Sequence, residues 1–114
     1  MKYLGIDYGK SKIGLALSEG LTASPFKILY VNSLKDALSQ VGNVIRCESI
    51  EGVIIGVPDS GEARSITEKF IKELESDVPV IRADETLSTH HSKGKKNEDA
   101  IAAAFILQNY LDEQ

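Results

Sequence analysis

Apolar and polar positions alternate near the start of the chain in a way that predicts two strands joined by a short polar turn. Tyr3 to Tyr8 is a strand-length run, Gly9-Lys10-Ser11-Lys12 breaks it, and Ile13 to Ser18 alternates large and small apolar residues as a hairpin partner does. Glu19 to Thr22 makes the next turn. Ser24 to Val31 reads as a third strand, with Pro25 marking a sheet edge or a strand's first residues. Leu34, Ala37, Leu38, Val41, Val44 and Ile45 recur at helical spacing behind Ser33-Leu34-Lys35-Asp36, which has the spacing of a capping box. Gly52 to Pro58 is continuously apolar, as a strand covered on both faces is, and predicts a central parallel strand. Asp59-Ser60-Gly61 supplies a turn and cap for a second helix, with Ala63, Ile66, Phe70 and Leu74 inward and its end near Asp77. Val78 to Ala83 is a short strand, and Asp84 to Asn97, DETLSTHHSKGKKN, is a polar connection long enough to suggest function. Glu98 to Leu111 closes the chain as a helix capped by Asn97. Ala100, Ala102, Ala103 and Ala104 let it lie close on a sheet, and Phe105 reads as core.

The resulting order, β-β-β-α-β-α-β-α, is a meander followed by βαβ units. It predicts an α/β fold: a mixed five-stranded sheet, antiparallel then parallel, with helices on both faces, in the order of the ribonuclease-H-like core. A chain of 114 residues is expected to form a single domain over 1–114. Its 42% hydrophobic and 26% charged residues argue against disorder. One cysteine, Cys47, at a helix end, forms no internal disulfide, and neither a leader pattern nor a membrane-length apolar run is present, so a cytoplasmic protein with no membrane role is expected. The net charge of −4 works against indiscriminate nucleic-acid binding by the whole surface. Lys10 and Lys12 in the first turn, and Lys93, Lys95 and Lys96 after His90 and His91, nevertheless allow a locally basic mouth on an acidic body.

Three acidic places carry the candidate chemistry: Asp7 at the end of the first strand, Asp84-Glu85 after the last, and Glu98-Asp99 opening the final helix. In a ribonuclease-H-like arrangement the first strand is central and the final helix crosses it, so Asp99 can reach Asp7, while Glu85 must turn inward. Carboxylates gathered in this way repel unless a cation joins them. Two hard divalent ions about 4 Å apart use such a cluster in phosphodiester hydrolysis. Plainer accounts stand beside this one. Asp7 can be a turn cap, Asp84 and Glu85 a solvated pair, and Asp99 a first-turn acid favoured by the helix dipole. His90 and His91 can be ligands, a general acid or simply exposed, and the lysine run can contact phosphate or only water.

GIDYGKSKIGLALS, LTASP, VIIGVP, DETLST and DAIAAAFILQNYLDE, in that order, resemble the successive motifs of the YqgF or RuvX type of Holliday-junction-resolvase-like proteins, a branch of the ribonuclease H superfamily. The resemblance runs nearly end to end. It implies a metal-dependent nuclease, commonly described as maturing the 5′ end of the 16S ribosomal RNA precursor, with resolvase-like action on branched DNA also proposed. Carried over by position, the family's acids fall on Asp7, Glu85 and Asp99, with Asp84 their neighbour, as ligands of Mg²⁺ or Mn²⁺. Lys10, Lys12, Lys93, Lys95 and Lys96 are then expected to meet nucleic acid, and His90 and His91 to be accessory. Structured RNA is the favoured partner, branched DNA the alternative, and a homodimer would suit a branched substrate. The chain departs from the pattern at Thr86, where the family commonly has Arg, and in two segments cut short to Asp59-Ser60-Gly61-Glu62 and to His90 through Asn97. Loss of the Arg removes a fixed phosphate fork. These departures leave a catalytically inactive binding module as the alternative to an enzyme. An actin-like ATPase or sugar kinase, suggested by Ile6-Asp7-Tyr8-Gly9, needs a second copy of the fold that this chain lacks.

Overall fold

The computed structural model describes residues 2–75, 77–84 and 98–113. Its elements are β1 (Tyr3–Asp7), β2 (Lys12–Glu19), β3 (Thr22–Tyr30), α1 (Leu34–Cys47), β4 (Gly52–Val57), α2 (Gly61–Leu74), β5 (Val80–Asp84) and α3 (Glu98–Asp112), in the order that the hydrophobic pattern predicts. The sheet order is β3-β2-β1-β4-β5. β1, β2 and β3 pair antiparallel, and β4 joins β1 and β5 in parallel. β1 is therefore the middle strand. All six residues of β4 are buried, which is what its unbroken apolar run requires.

Alternation along the strands divides the interior in two. Leu4, Ile6, Ile13, Leu15, Val53 and Ile55 face α1 and α2 with Phe70 and Ile71. Ala16 and Ile54 face α3, against Ala103, Ile106, Leu107 and Leu111. Pro25 lies in β3, an edge strand, where a missing N–H costs no ladder bond. The register shifts beside it: Leu15 pairs with Lys27 and Ala16 with Pro25, leaving Phe26 as the extra residue of a bulge. Gln108 of α3 ties down the far end of this hairpin, its Oε1 accepting from the Ala23 N–H and its Nε2 donating to the Leu21 carbonyl.

Half of the predicted capping box forms as expected. Ser33 Oγ accepts from the Asp36 N–H at 3.0 Å, but Asp36 reaches back to the N–H of Asn32, one residue before the cap. Cys47 ends α1 and is exposed. Three expectations need correction. Ala63 is exposed, because the first turn of α2 lies beyond the core; the buried stripe is Thr67, Phe70, Ile71 and Leu74, and the helix ends at Leu74. Thr67 is tolerated inside because its hydroxyl donates to the Ala63 carbonyl at 2.7 Å. Phe105 is 41% exposed, since it falls two residues after Ala103 and so on nearly the opposite side of α3. Ser60 caps α2 without a side-chain hydrogen bond. No helix among the described residues is long and apolar enough to cross a membrane.

Candidate functional site

Asp7 ends β1, and its antiparallel partner is Gly14. Directly paired residues project on the same face, so Asp7 emerges on the face that α3 covers. Gly14 has no side chain there, and the backbone of Asp99 occupies the space. A Cβ at Gly14 would fall 2.7 Å from the Ala100 nitrogen and closer still to the Asp99 carbonyl group, inside the separation that real Cβ atoms keep. Gly5, next but one along β1, makes a second close seat, where a Cβ would lie 2.8 Å from the Ala103 carbonyl oxygen. Gly5 and Gly14, with Ala16, form a floor on which α3 settles through Ala100, Ala103 and Leu107. That seat brings Asp7 and Asp99, from opposite ends of the sequence, to one end of one face.

The two lysines of the first turn part company. Lys12 Nζ lies 3.3 Å from Asp99 Oδ2, with the carboxylate side chain 24% exposed. Lys10 points instead toward Glu62 at the start of α2, at 3.8 Å and with both side chains largely in solvent, where such a pair contributes little. Beside Asp7, Tyr8 stacks on Phe70 with ring centroids 4.4 Å apart, and burial raises the pKa of its phenol. This anchors the residue that follows the carboxylate.

On the other side, β5 carries the chain to Asp84, which pairs in register with Val57. Arg82 fixes this edge strand to α2, donating to Glu68 Oε1 at 3.0 Å and to Glu75 Oε2 at 3.2 Å. Glu85, His90, His91, Lys93, Lys95 and Lys96 lie outside the described residues. Among the described residues no group of three or more His, Cys, Asp or Glu side chains is gathered for a metal. In donor chemistry, Asp7 and Asp99 suit a hard cation such as Mg²⁺ or Mn²⁺, which takes carboxylate oxygens and completes its shell with water and substrate phosphate. Lys12 beside Asp99 shows that a positive charge is accommodated at that oxygen. A depression of about 720 Å³ lined by Leu38, Gly42, Glu73 and Asp77 lies between α1 and α2, across the sheet from these acids, and belongs to a different face.

Sequence reasoning missed three features: the Lys12–Asp99 pair, the Arg82 bridge and the exposed aromatic ring of Tyr30 beside Lys12. Gly14 was the available signal for the first, because a glycine within an apolar strand marks a close approach of another backbone.

Relatives and folds agree with this architecture. A candidate pre-16S rRNA nuclease, by name, from Syntrophus aciditrophicus (strain SB) is 33% identical over 133 residues, covering 98% of this chain and 89% of the relative. One of the same name from Ruminiclostridium cellulolyticum is 35% identical over 135 residues, covering 98% and 94%. Both alignments are longer than the 114 residues of this chain, so each relative carries stretches with no counterpart here. Among solved structures, Thermus thermophilus RuvC in complex with a Holliday junction substrate superposes with a TM-score of 0.68 at 14% identity, covering 99% of this chain and 94% of that one, which shows a shared ribonuclease-H-like fold. The family described as RuvX, Holliday junction resolvase, matches residues 1–113, and the chain belongs to it.

Proposed function

We propose that this protein is a metal-dependent nuclease that hydrolyses phosphodiester bonds, acting in 5′-end maturation of the 16S ribosomal RNA precursor. The observation that carries the reading is the seating of the Asp99 backbone on Gly14, the register partner of Asp7, which brings two acids distant in sequence to the end of the central strand. The names of the relatives support the substrate. Asp7, Asp99 and Glu85 would hold Mg²⁺ or Mn²⁺, with Asp84 their neighbour. Bound there, the ions would supply Lewis-acid stabilisation of charge developing on the phosphate oxygens.

The chain's own residues then have separable tasks. Asp7, at a strand end, supplies a carboxylate with a fixed backbone, and Asp99 supplies one aimed by a helix start seated on glycine. Lys12 balances Asp99 until a phosphate arrives and can then share its three donors between them. Lys10, Lys93, Lys95 and Lys96 would hold the backbone of the nucleic acid, with His90 and His91 as accessory groups. A branched DNA substrate, shared by two copies of the chain, is the second reading; it is favoured by the fold shared with a resolvase solved on a Holliday junction.

Cleavage of RNA bearing the 5′ extension of 16S rRNA, of single-stranded RNA and of a four-way DNA junction, each with and without Mn²⁺, tests this. Precursor RNA is expected to be cut, only with metal, and Asp7→Asn is expected to abolish cutting while melting no lower than the parent, because it relieves repulsion between like charges. An Asp7→Asn protein that still cuts but unfolds at a clearly lower temperature would make Asp7 a structural cap. Cutting of the junction alone would transfer the assignment to branched DNA.

A further inference from the structure

Of the four tyrosines, three are engaged. Tyr3 packs edge-on against Tyr110, and Tyr8 stacks on Phe70. Tyr30 stands apart: its side chain has no hydrogen-bond or ring partner among the described residues, and the residue is 70% exposed. Leu21, the other strongly exposed large apolar residue, lies in the β2–β3 turn, at the far end of the sheet from Asp99. Tyr30 lies at the near end. It is the direct cross-strand partner of Lys12, whose ammonium meets Asp99. Gly14, beneath the Asp99 backbone, pairs with Ile28, which makes Tyr30 its diagonal neighbour, about 7–8 Å away by the geometry of a paired sheet.

The ring is also held on that side. Leu29 and Val31 on either side are buried in the core under α1 and α2, so strand alternation keeps Tyr30 on the α3 face. Its backbone is tied at both strands and at a helix: the Val31 N–H donates to the Ser11 carbonyl at 3.0 Å, and Gln40 Nε2 donates to the Tyr30 carbonyl at 3.0 Å. An open aromatic ring on a tied backbone, beside a lysine and near Asp7 and Asp99, is the pairing of features that binds unpaired nucleotides: a base on the ring and a phosphate on the cation.

We infer that Tyr30 is a base-stacking platform for an unpaired nucleotide adjacent to the scissile phosphate, with Lys12 taking that nucleotide's phosphate. The inference rests on the nuclease reading above and narrows its substrate class to nucleic acids with an unstacked nucleotide at the cut. Stacking on a ring is tolerant of base identity, because every base has a π face, so Tyr30 selects single-strandedness and not sequence.

The chain contains no tryptophan, so Tyr30→Trp introduces a unique fluorophore at the platform. Titration of that full-length variant with oligouridylate and with an uninterrupted RNA duplex of equal length, at one salt concentration, is expected to quench its emission with the single strand and not with the duplex. Tyr30→Ala is expected to bind oligouridylate roughly 5- to 150-fold more weakly, the range for one lost base–aromatic stack, while Tyr30→Phe binds as the parent does. Unchanged emission on saturation, equal quenching by both probes, or unchanged affinity of Tyr30→Ala would overturn the platform. The Asp7→Asn assay separates the two ideas. Loss of cutting without quenching keeps the nuclease and removes the platform, whereas quenching with cutting retained by Asp7→Asn keeps the platform and removes the acid assignment.

Discussion

One methyl group at Gly14 should damage cutting more than it damages folding. In Gly14→Ala the new Cβ would lie 2.7 Å from the Ala100 nitrogen, and ordinary contact begins at 3.4 Å, so the first turn of α3 must retreat by 0.7 Å at that atom and by more at Asp99. Neither neighbour is a flexible side chain. Overpacking of this kind costs about 1–3 kcal/mol. In a domain of this size that lowers the melting temperature by roughly 4–12 °C. Displacement of a reacting group by about 1 Å can cost on the order of a hundredfold in rate, and here the displaced group is the carboxylate itself. Gly5→Ala is the control, because it meets the same helix farther along, at Ala103 and Leu107, both at 2.8 Å. Gly14→Ala, which meets backbone at the shorter separations, should lose the more stability, measured by thermal melting. The turnover of Gly14→Ala, measured well below both melting temperatures at saturating substrate, should fall at least tenfold further. Equal losses of turnover, or a Gly14→Ala protein with the parent's stability and rate, would show that the seat on Gly14 does not set the position of Asp99.

Two further outcomes follow from the ion pairs. Removing the cation beside Asp99 in Lys12→Gln should tighten Mn²⁺ binding by up to about fivefold without substrate, since a partly exposed pair is worth at most ~1 kcal/mol; weaker binding in a Mn²⁺ titration followed by backbone amide signals would refute this competition. Arg82→Met, which keeps the aliphatic stem but frees β5 from Glu68 and Glu75, should cost about 0.5–1 kcal/mol in urea melts at low salt, and the difference should shrink at high salt.

The strands were legible because their side chains repeat with period two and because β4, covered on both faces, has to be apolar throughout. Helix faces were harder to read. In α3 the apolar residues outnumber those the sheet can cover: Ala100, Ala103, Leu107 and Leu111 form the inner stripe, while Ile101 and Phe105 carry the same chemistry on the outside. Composition cannot separate the two sets; only the helical period can. Ala63 was misread for the opposite reason, since it continues the stripe of Thr67, Phe70 and Leu74 but lies in a turn that runs past the sheet. Asp7 was legible as a carboxylate at a strand end. Its meeting with Asp99 depended on how deeply α3 sinks, and that depth is set by the missing side chains of Gly5 and Gly14, whose meaning appears only when the helix is in place.

This division of labour bears on the shortened segments. Asp7, Gly14, Lys12 and Asp99 are supplied by β1, β2 and α3, none of which includes residues 59–62 or 90–97, the two segments that the resemblance to the family marks as cut short. The part of the site that depends on strand register and helix seating is therefore independent of the trimming. What the shortened stretches could have contributed is additional basic groups away from the acids, and an Arg where Thr86 stands would have added a fixed guanidinium. With fewer such contacts, a larger share of substrate affinity must come from groups next to the acids, and Lys12 and Tyr30, paired across β2 and β3, are the cation and the aromatic ring that the described residues present there. Neutralising Lys12 should accordingly lower the slope of log affinity against log salt by roughly 0.7–0.9, the contribution of one phosphate contact, and an unchanged slope would show that Lys12 meets no phosphate.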